Sequence, residues 1–239
     1  MTKEKLIVAL DFPTLKEAQD CVEACGDEVC YYKVGMELYY SAGHEILSFL
    51  KKHHKKIFLD LKLQDIPNTV GRAMRVLTRL GVDMINVHAV GGLKMMQVAQ
   101  ASAREEAAAL GIAAPKLLAV TVLTSMDEES FEALNYKVPI ASQVITLARL
   151  AQKAGLDGVV ASAKEAAQIR AACGKDFLIV TPGVRPAGAD TQDQSRVTTP
   201  AQAIKNGADY LVVGRPITQA ADAQRAAREI QTQICEGAL

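Results

Sequence analysis

One phrase recurs along this chain and limits what it can fold into: a glycine, an apolar residue and an aspartate, followed at once by a short apolar run. Gly81-Val82-Asp83 precedes Met84-Ile85-Asn86-Val87-His88, Gly155-Leu156-Asp157 precedes Gly158-Val159-Val160-Ala161, and Gly207-Ala208-Asp209 precedes Tyr210-Leu211-Val212-Val213-Gly214. Each reads as a helix ending on glycine, a turn, and entry into a strand covered on both faces. The whole chain offers eight strand candidates, at 6–11, 29–34, 57–62, 84–88, 117–122, 158–161, 177–181 and 210–214, with helical patterns between them. Strands that alternate with helices make parallel sheets. Eight such units in 239 residues match a (β/α)8 TIM barrel, an α/β fold, as a single domain over residues 1–239. An open doubly wound sheet would carry Gly-x-Gly-x-x-Gly after its first strand; Asp11-Phe12-Pro13-Thr14 stands there instead.

Local signals agree with this division. Thr14-Leu15-Lys16-Glu17 reads as a capping box opening a helix that ends near Gly26. The next helices are expected to end near Lys52, Leu80 and Leu110, the last two followed by Gly81 and Gly111. Lys+Arg and Asp+Glu both number 27, so no net charge draws the protein to nucleic acid or to a membrane surface. No apolar run approaches the roughly 20 residues of a membrane span, and 6–10 is too short for a signal h-region; a cytoplasmic location is expected. The five cysteines, Cys21, Cys25, Cys30, Cys173 and Cys235, contain no Cys-x-x-Cys pair. They read as free packing thiols rather than a disulfide frame or zinc site.

Barrel active sites lie at the C-terminal ends of the strands, and there polar groups recur: Asp11, Lys33, Asp60 with Lys62, His88, Thr121 with Thr124, Arg185 and Arg215. Strand starts are expected to show no comparable set. The densest stretch is Asp60-Leu61-Lys62-Leu63-Gln64-Asp65-Ile66-Pro67-Asn68-Thr69. Strand alternation projects Asp60 and Lys62 into one space, with Leu59, Leu61 and Leu63 on the other face. Burying such charges is costly unless they are paired. Pro67 then suits the first turn of a helix. Singly, each group has a plainer reading: Asp11 as a turn cap, Lys33 as a snorkelling strand end, Asp65 as a helix N-cap, His88 as a hydrogen-bonded core histidine. The run 51–56, Lys-Lys-His-His-Lys-Lys, reads as a solvated helix end with no ligand role. The convergence of Asp11, Lys33, Asp60 and Lys62 with alternating sign favours a site.

Residues 181–196 form an irregular stretch with two glycines, two prolines, Arg185 and Gln194. Such a stretch suits a lid folding over an anion, or else a surface insertion. Beyond the eighth strand, Gly214-Arg215-Pro216 supplies close backbone approach and a cation where barrels commonly hold phosphate. Arg185, Gln194, Gly214 and Arg215 therefore point to a phosphorylated small molecule whose reacting part faces Lys62.

These residues resemble a known family. The 60–69 stretch is similar to the signature of the orotidine 5′-phosphate decarboxylase family, and Ala9-Leu10-Asp11, Lys33-Val34-Gly35, Val120-Thr121-Val122-Leu123-Thr124-Ser125, Thr181-Pro182-Gly183-Val184-Arg185 and Val213-Gly214-Arg215-Pro216 follow in that family's order. The resemblance implies conversion of orotidine 5′-phosphate to UMP and carbon dioxide, the last step of de novo UMP synthesis, without metal or organic cofactor. It implies that Asp11 and Lys33 bind the ribose hydroxyls, that Thr124 and Ser125 address the pyrimidine, that Asp60 lies beside the substrate carboxylate, and that Lys62 protonates C6. Thr69 and Pro182 fall in the same motifs as further substrate contacts. Asp65 would reach the active site of a neighbouring subunit, which implies a homodimer. Two alternatives compete: a metal-dependent sugar-phosphate decarboxylase resembling 3-keto-L-gulonate 6-phosphate decarboxylase, which has an acidic metal ligand in place of Lys33, and a non-catalytic barrel that binds a phosphate ligand.

Overall fold

The computed structural model describes residues 3–186 and 198–238. Its elements run β1 (Leu6–Leu10), α1 (Leu15–Cys25), β2 (Tyr31–Gly35), α2 (Met36–Ala42), α3 (His44–Lys52), β3 (Lys56–Leu63), α4 (Pro67–Arg79), β4 (Met84–His88), α5 (Gly92–Leu110), β5 (Lys116–Val120), α6 (Glu128–Ala133), α7 (Ile140–Lys153), β6 (Gly158–Val160), α8 (Ala166–Cys173), β7 (Leu178–Thr181), α9 (Pro200–Lys205), β8 (Tyr210–Val213), α10 (Arg215–Thr218) and α11 (Ala223–Gly237). The strands are all parallel and close in sequence order, β8 pairing with β1. The (β/α)8 barrel is therefore present. All eight strand candidates form, with ends shifted by a residue or two. The second starts at Tyr31 because a short 3-10 turn at Gly26–Glu28 delays it. The helix ending at Lys52 is two helices, broken at Gly43, whose φ of 55° is left-handed.

Strand residues alternate between two apolar layers. Leu6, Val8 and Leu10 of β1 join the larger core beneath the helices. Ile7 and Ala9 point the other way, into the barrel, with Tyr31, Phe58, Met84, Leu118, Val120, Val160, Val180 and Val212. Branched and aromatic side chains fill the lumen, which makes it a packed core rather than a pore.

The recurring aspartate has a structural use. Asp83, Asp157 and Asp209 accept the backbone N–H of Ile57, Leu117 and Ile179 through Oδ2 at 2.8, 2.9 and 2.8 Å. Each also donates its own N–H to the carbonyl of that same residue, at 3.0, 3.0 and 2.9 Å. The starts of β4, β6 and β8 are thus each stapled to the strand before. This corrects the expectation that strand starts hold no polar set comparable to the ends. They do hold one, but it is paired off: Lys56 with Glu4 at 3.0 Å, Lys116 with Asp157 at 3.3 Å, Arg170 with Asp209 at 2.7 Å. Two further readings change. Lys55 leaves the solvated 51–56 run to donate to the carbonyls of Gly26 and Val29, at 2.8 and 2.9 Å. Cys21, Cys25 and Cys173 are buried packing thiols, whereas Cys235 is exposed and Cys30 half-buried.

Candidate active site

The strand ends place four charges in a row. Asp11, just past β1, accepts from Lys33 Nζ of β2 at 2.9 Å. Lys33 Nζ lies 3.4 Å from Asp60 Oδ2 of β3, and Asp60 Oδ1 accepts from Lys62 Nζ at 2.7 Å. Signs alternate along the whole row. Asp60 is only 7% exposed. Burial works to raise its pKa, but Lys33 and Lys62, with hydrogen bonds from Lys62 and Asn86, hold the carboxyl below its usual range. Burial likewise works against the Lys33 ammonium, and Asp60 and Asp11 overcome it, leaving its pKa raised. The buried charges therefore stabilise one another's ionised forms.

Asp60 and Lys62 meet as strand alternation suggests, although not through a regular pleat. The β3–β4 register runs Leu59 to Ile85 and then Leu63 to Val87, so residues 60–62 stand opposite the single residue Asn86. Lys62 takes a φ of 51° inside this bulge. A left-handed conformation in a non-glycine residue costs about 1–3 kcal/mol and persists only where the surroundings enforce it. Leu61 and Leu63 still face the outer core.

Two adjoining cavities open on this row. One, of about 230 Å³, is lined by Lys33, Asp60, Lys62, Thr124, Ser125 and Pro182 over an apolar floor that includes Phe58 and Val160. The other, of about 440 Å³, shares Lys33 and Pro182 and runs past Asp11 to Arg185, Gly214 and Arg215. Arg185 is buried, and burial together with the neighbouring Arg215 cation pushes its pKa below the usual guanidinium range. Two cations held close at one cavity end make a seat for an anion. Gly183, with a φ of 72°, and Thr218 line the same end.

Other expected site residues fall elsewhere. Asp65 is exposed, and its carboxylate accepts from the Ile66 N–H at 2.6 Å, ahead of α4, whose N-cap is Ile66 rather than Asp65. Lys62 forms its ion pair with Asp60. Thr69 is exposed on the first turn of α4. Thr121 is buried and donates to the Val160 carbonyl at 3.1 Å, so it braces β5 against β6 instead of entering the mouth. Gln194 lies outside the described residues. His88, read as a core histidine, sits half-buried at the end of β4; burial and then Lys62 hold it below the usual imidazole range.

One residue next to the row was missed. Asn86 Nδ2 donates to Asp60 Oδ1 at 2.6 Å, and Asn86 Oδ1 accepts the Lys62 N–H at 2.8 Å. Its signal was a carboxamide in the middle of the apolar run Met84-Ile85-Asn86-Val87, since a buried polar group needs partners. Among the described residues, no group of three or more His, Cys, Asp or Glu side chains is placed to hold a metal ion. No described helix is long and apolar enough to cross a membrane.

Comparison with known proteins bears on the same geometry. A family model described as orotidine 5′-phosphate decarboxylase / HUMPS family matches residues 4–230. The orotidine 5′-phosphate decarboxylase of Moorella thermoacetica is 52% identical over 233 residues, 97% of this chain and 92% of that protein. The protein of the same name from Trichlorobacter lovleyi is 49% identical over 235 residues, 98% and 97% of the two chains. Among solved structures, orotidine 5′-phosphate decarboxylase from Lactobacillus acidophilus has a TM-score of 0.85 at 40% identity, covering 96% of this chain and 98% of that one. An uncharacterized conserved protein from Geobacillus kaustophilus gives 0.84 at 42% identity, with 96% and 99% covered. On the family match and these full-length relatives, the chain belongs to the orotidine 5′-phosphate decarboxylase / HUMPS family.

Proposed function

We propose that this protein is a carboxy-lyase that converts orotidine 5′-phosphate to UMP and carbon dioxide in pyrimidine biosynthesis, its substrate lying across the two adjoining cavities. The observation that carries this reading is the unbroken row Asp11–Lys33–Asp60–Lys62 on one wall, with Arg185 and Arg215 at the far end. The phosphate sits between the two guanidinium groups, beside Pro182 and Gly214. The ribose hydroxyls meet Asp11 and Lys33. The pyrimidine lies over the apolar floor against Thr124 and Ser125, with its C6 carboxylate toward Asp60 and Lys62.

Breaking the C6–carboxylate bond leaves its electron pair on a ring carbon with no conjugated carbonyl to accept it. A fixed cation and a prompt proton are therefore needed, and Lys62 supplies both as its Nζ proton passes to C6. A positioned general acid is worth about 10²–10⁴ in rate, and one preorganised electrostatic donor about 3–4 kcal/mol. Neither is sufficient alone for so hard a reaction. Asp60, kept ionised by its lysines, faces the substrate carboxylate and loses an unfavourable neighbour when carbon dioxide departs. Grip on the remote phosphate supplies binding energy that holds this crowded arrangement together. The chain acts as one barrel domain over residues 1–239.

The working unit in this reading is a homodimer. The exposed Asp65 carboxylate accepts from the Ile66 N–H while Lys62 pairs with Asp60, and Ile66 is itself 66% exposed, which suits a turn that completes a neighbour's pocket. Sedimentation analysis tests this, and a mixture of Lys62→Ala and Asp65→Asn chains should recover part of the activity that each lacks. The decisive assay for the reaction is the ultraviolet change as orotidine 5′-phosphate is consumed, followed with and without chelator. Loss dependent on added metal would favour a sugar-phosphate decarboxylase of the metal-dependent kind, and no turnover would favour a binding barrel.

A further inference from the structure

We infer that Asn86 is a positioning residue for the Asp60–Lys62 pair, its carboxamide serving as the β4 half of the bulge that holds both charges in place. The inference rests on the decarboxylase reading for its kinetic consequences and on geometry alone for its structural one.

In a regular parallel pair, the backbone groups of residues 60–62 would bond to β4. Here three residues of β3 face one of β4, and Asn86 takes over that bonding with its side chain. Its Oδ1 accepts the Lys62 N–H at 2.8 Å, and its Nδ2 donates to Asp60 Oδ1 at 2.6 Å. The orientation is forced, since a backbone N–H can only donate and an ionised carboxylate can only accept. Asn86 is fully buried, so neither bond is exchanged for water. The Lys62 bond holds the backbone at its φ of 51°, and the Asp60 bond fixes the same oxygen that meets Lys62 Nζ at 2.7 Å. One side chain thus sets the direction of the ammonium and of its counter-charge together. The other charged and titratable groups around it are Lys33 from β2 and His88 from its own strand, with Asp11 next along the row.

The test uses Asn86→Ala and the isosteric Asn86→Asp. Misplacement of a reacting group by about 1 Å can cost about 10²-fold in rate, so Asn86→Ala should lower kcat by about that factor with KM nearly unchanged. Asn86→Asp places two carboxyl groups in hydrogen-bond contact, and they share one proton up to a pH above the ordinary carboxylate range. While shared, that proton reproduces the missing donor; once it is lost, the two carboxylates repel. The kcat of Asn86→Asp relative to wild type should therefore fall as pH rises. A crystal structure of Asn86→Ala should show Lys62 relaxed from its left-handed φ and its Nζ no longer on Asp60.

Wild-type kcat in Asn86→Ala, or an Asn86→Asp profile parallel to wild type, overturns the inference. So does an unchanged Lys62 backbone and ion pair in the Asn86→Ala crystal, whichever substrate the enzyme takes. Failure of the wild-type protein to consume orotidine 5′-phosphate would instead count against the functional reading and leave the crystallographic arm to decide the role of Asn86.

Discussion

The two halves of the barrel treat the same inward face differently. In β1–β4 the inward positions change from apolar to polar or charged as the strands rise: Ile7 and Ala9 lead to Asp11, Tyr31 to Lys33, Phe58 to Asp60, Met84 to Asn86 and His88. In β5–β8 they stay apolar to the top, through Val120, Val160, Val180 and Val212, and the polar groups come afterwards, Thr124, Ser125 and Arg185 on loops and Arg215 at the start of the short α10. In the charged half Asp11, Lys33, Asp60 and Lys62 each sit on or next to a strand and pair with the charge beside them. The apolar half gives a flat floor, and its specificity is carried by connections, which can vary without disturbing the sheet. Groups that must be held closely belong on strands, and groups that need only grip a remote phosphate can sit on loops.

Substitutions can break that contrast. The largest effect is expected for Lys62→Ala, with turnover lowered by about 10⁴-fold or more and the circular dichroism spectrum unchanged. Residual turnover near the wild-type rate would remove the lysine from the chemistry. Next comes Asp60→Asn, which leaves two ammonium groups facing each other across an amide; kcat should fall by about 10²–10³-fold.

Asp60→Asn also has a pH signature. The Asp60 carboxyl is depressed in the folded protein, so its stabilisation is fully present above the unfolded carboxylate value of about 3.9 and is lost as pH falls through the folded value. The Lys33 pKa is raised, so its contribution is complete below the unfolded value of about 10.4 and disappears as pH rises through the folded one. Thermal unfolding of wild type and Asp60→Asn should therefore differ most around neutrality and converge in acid. A constant difference down to pH 2 would mean that the pairing does not stabilise the fold.

In the other half, Arg215→Ala should raise KM for the phosphorylated substrate by about 10–100-fold, the equivalent of about 1.5–3 kcal/mol for a charge-assisted bond, while the handling of the free nucleoside changes little. Equal losses on both would show that Arg215 does not bind phosphate. The smallest effect is expected for Val180→Ala, buried in the lumen of β7. It should cost about 2 kcal/mol of stability, seen as a Tm lower by several degrees, with kcat per folded molecule retained. Loss of activity at full occupancy of the fold would show that the apolar half is less separate from the chemistry than its composition implies.

Much of this was legible in the residues. The glycine-apolar-aspartate phrase, the eight apolar runs and the charges at their ends specified a closed parallel barrel and the row from Asp11 to Lys62, because side-chain period and strand–helix alternation are local properties. Several features were not legible for an equally physical reason. The use of Asp83, Asp157 and Asp209 as staples, the burial of Thr121 against β6, and the withdrawal of Lys55 onto two carbonyls all depend on which strand comes to lie alongside. The left-handed turn at Lys62 and the reach of Asn86 to both members of the pair exist only once β3 and β4 are set in register. Sequence alone determined which charges arrive at one end of the barrel; the tertiary fold decided how they point, because a bulge is a relation between two strands and neither contains it.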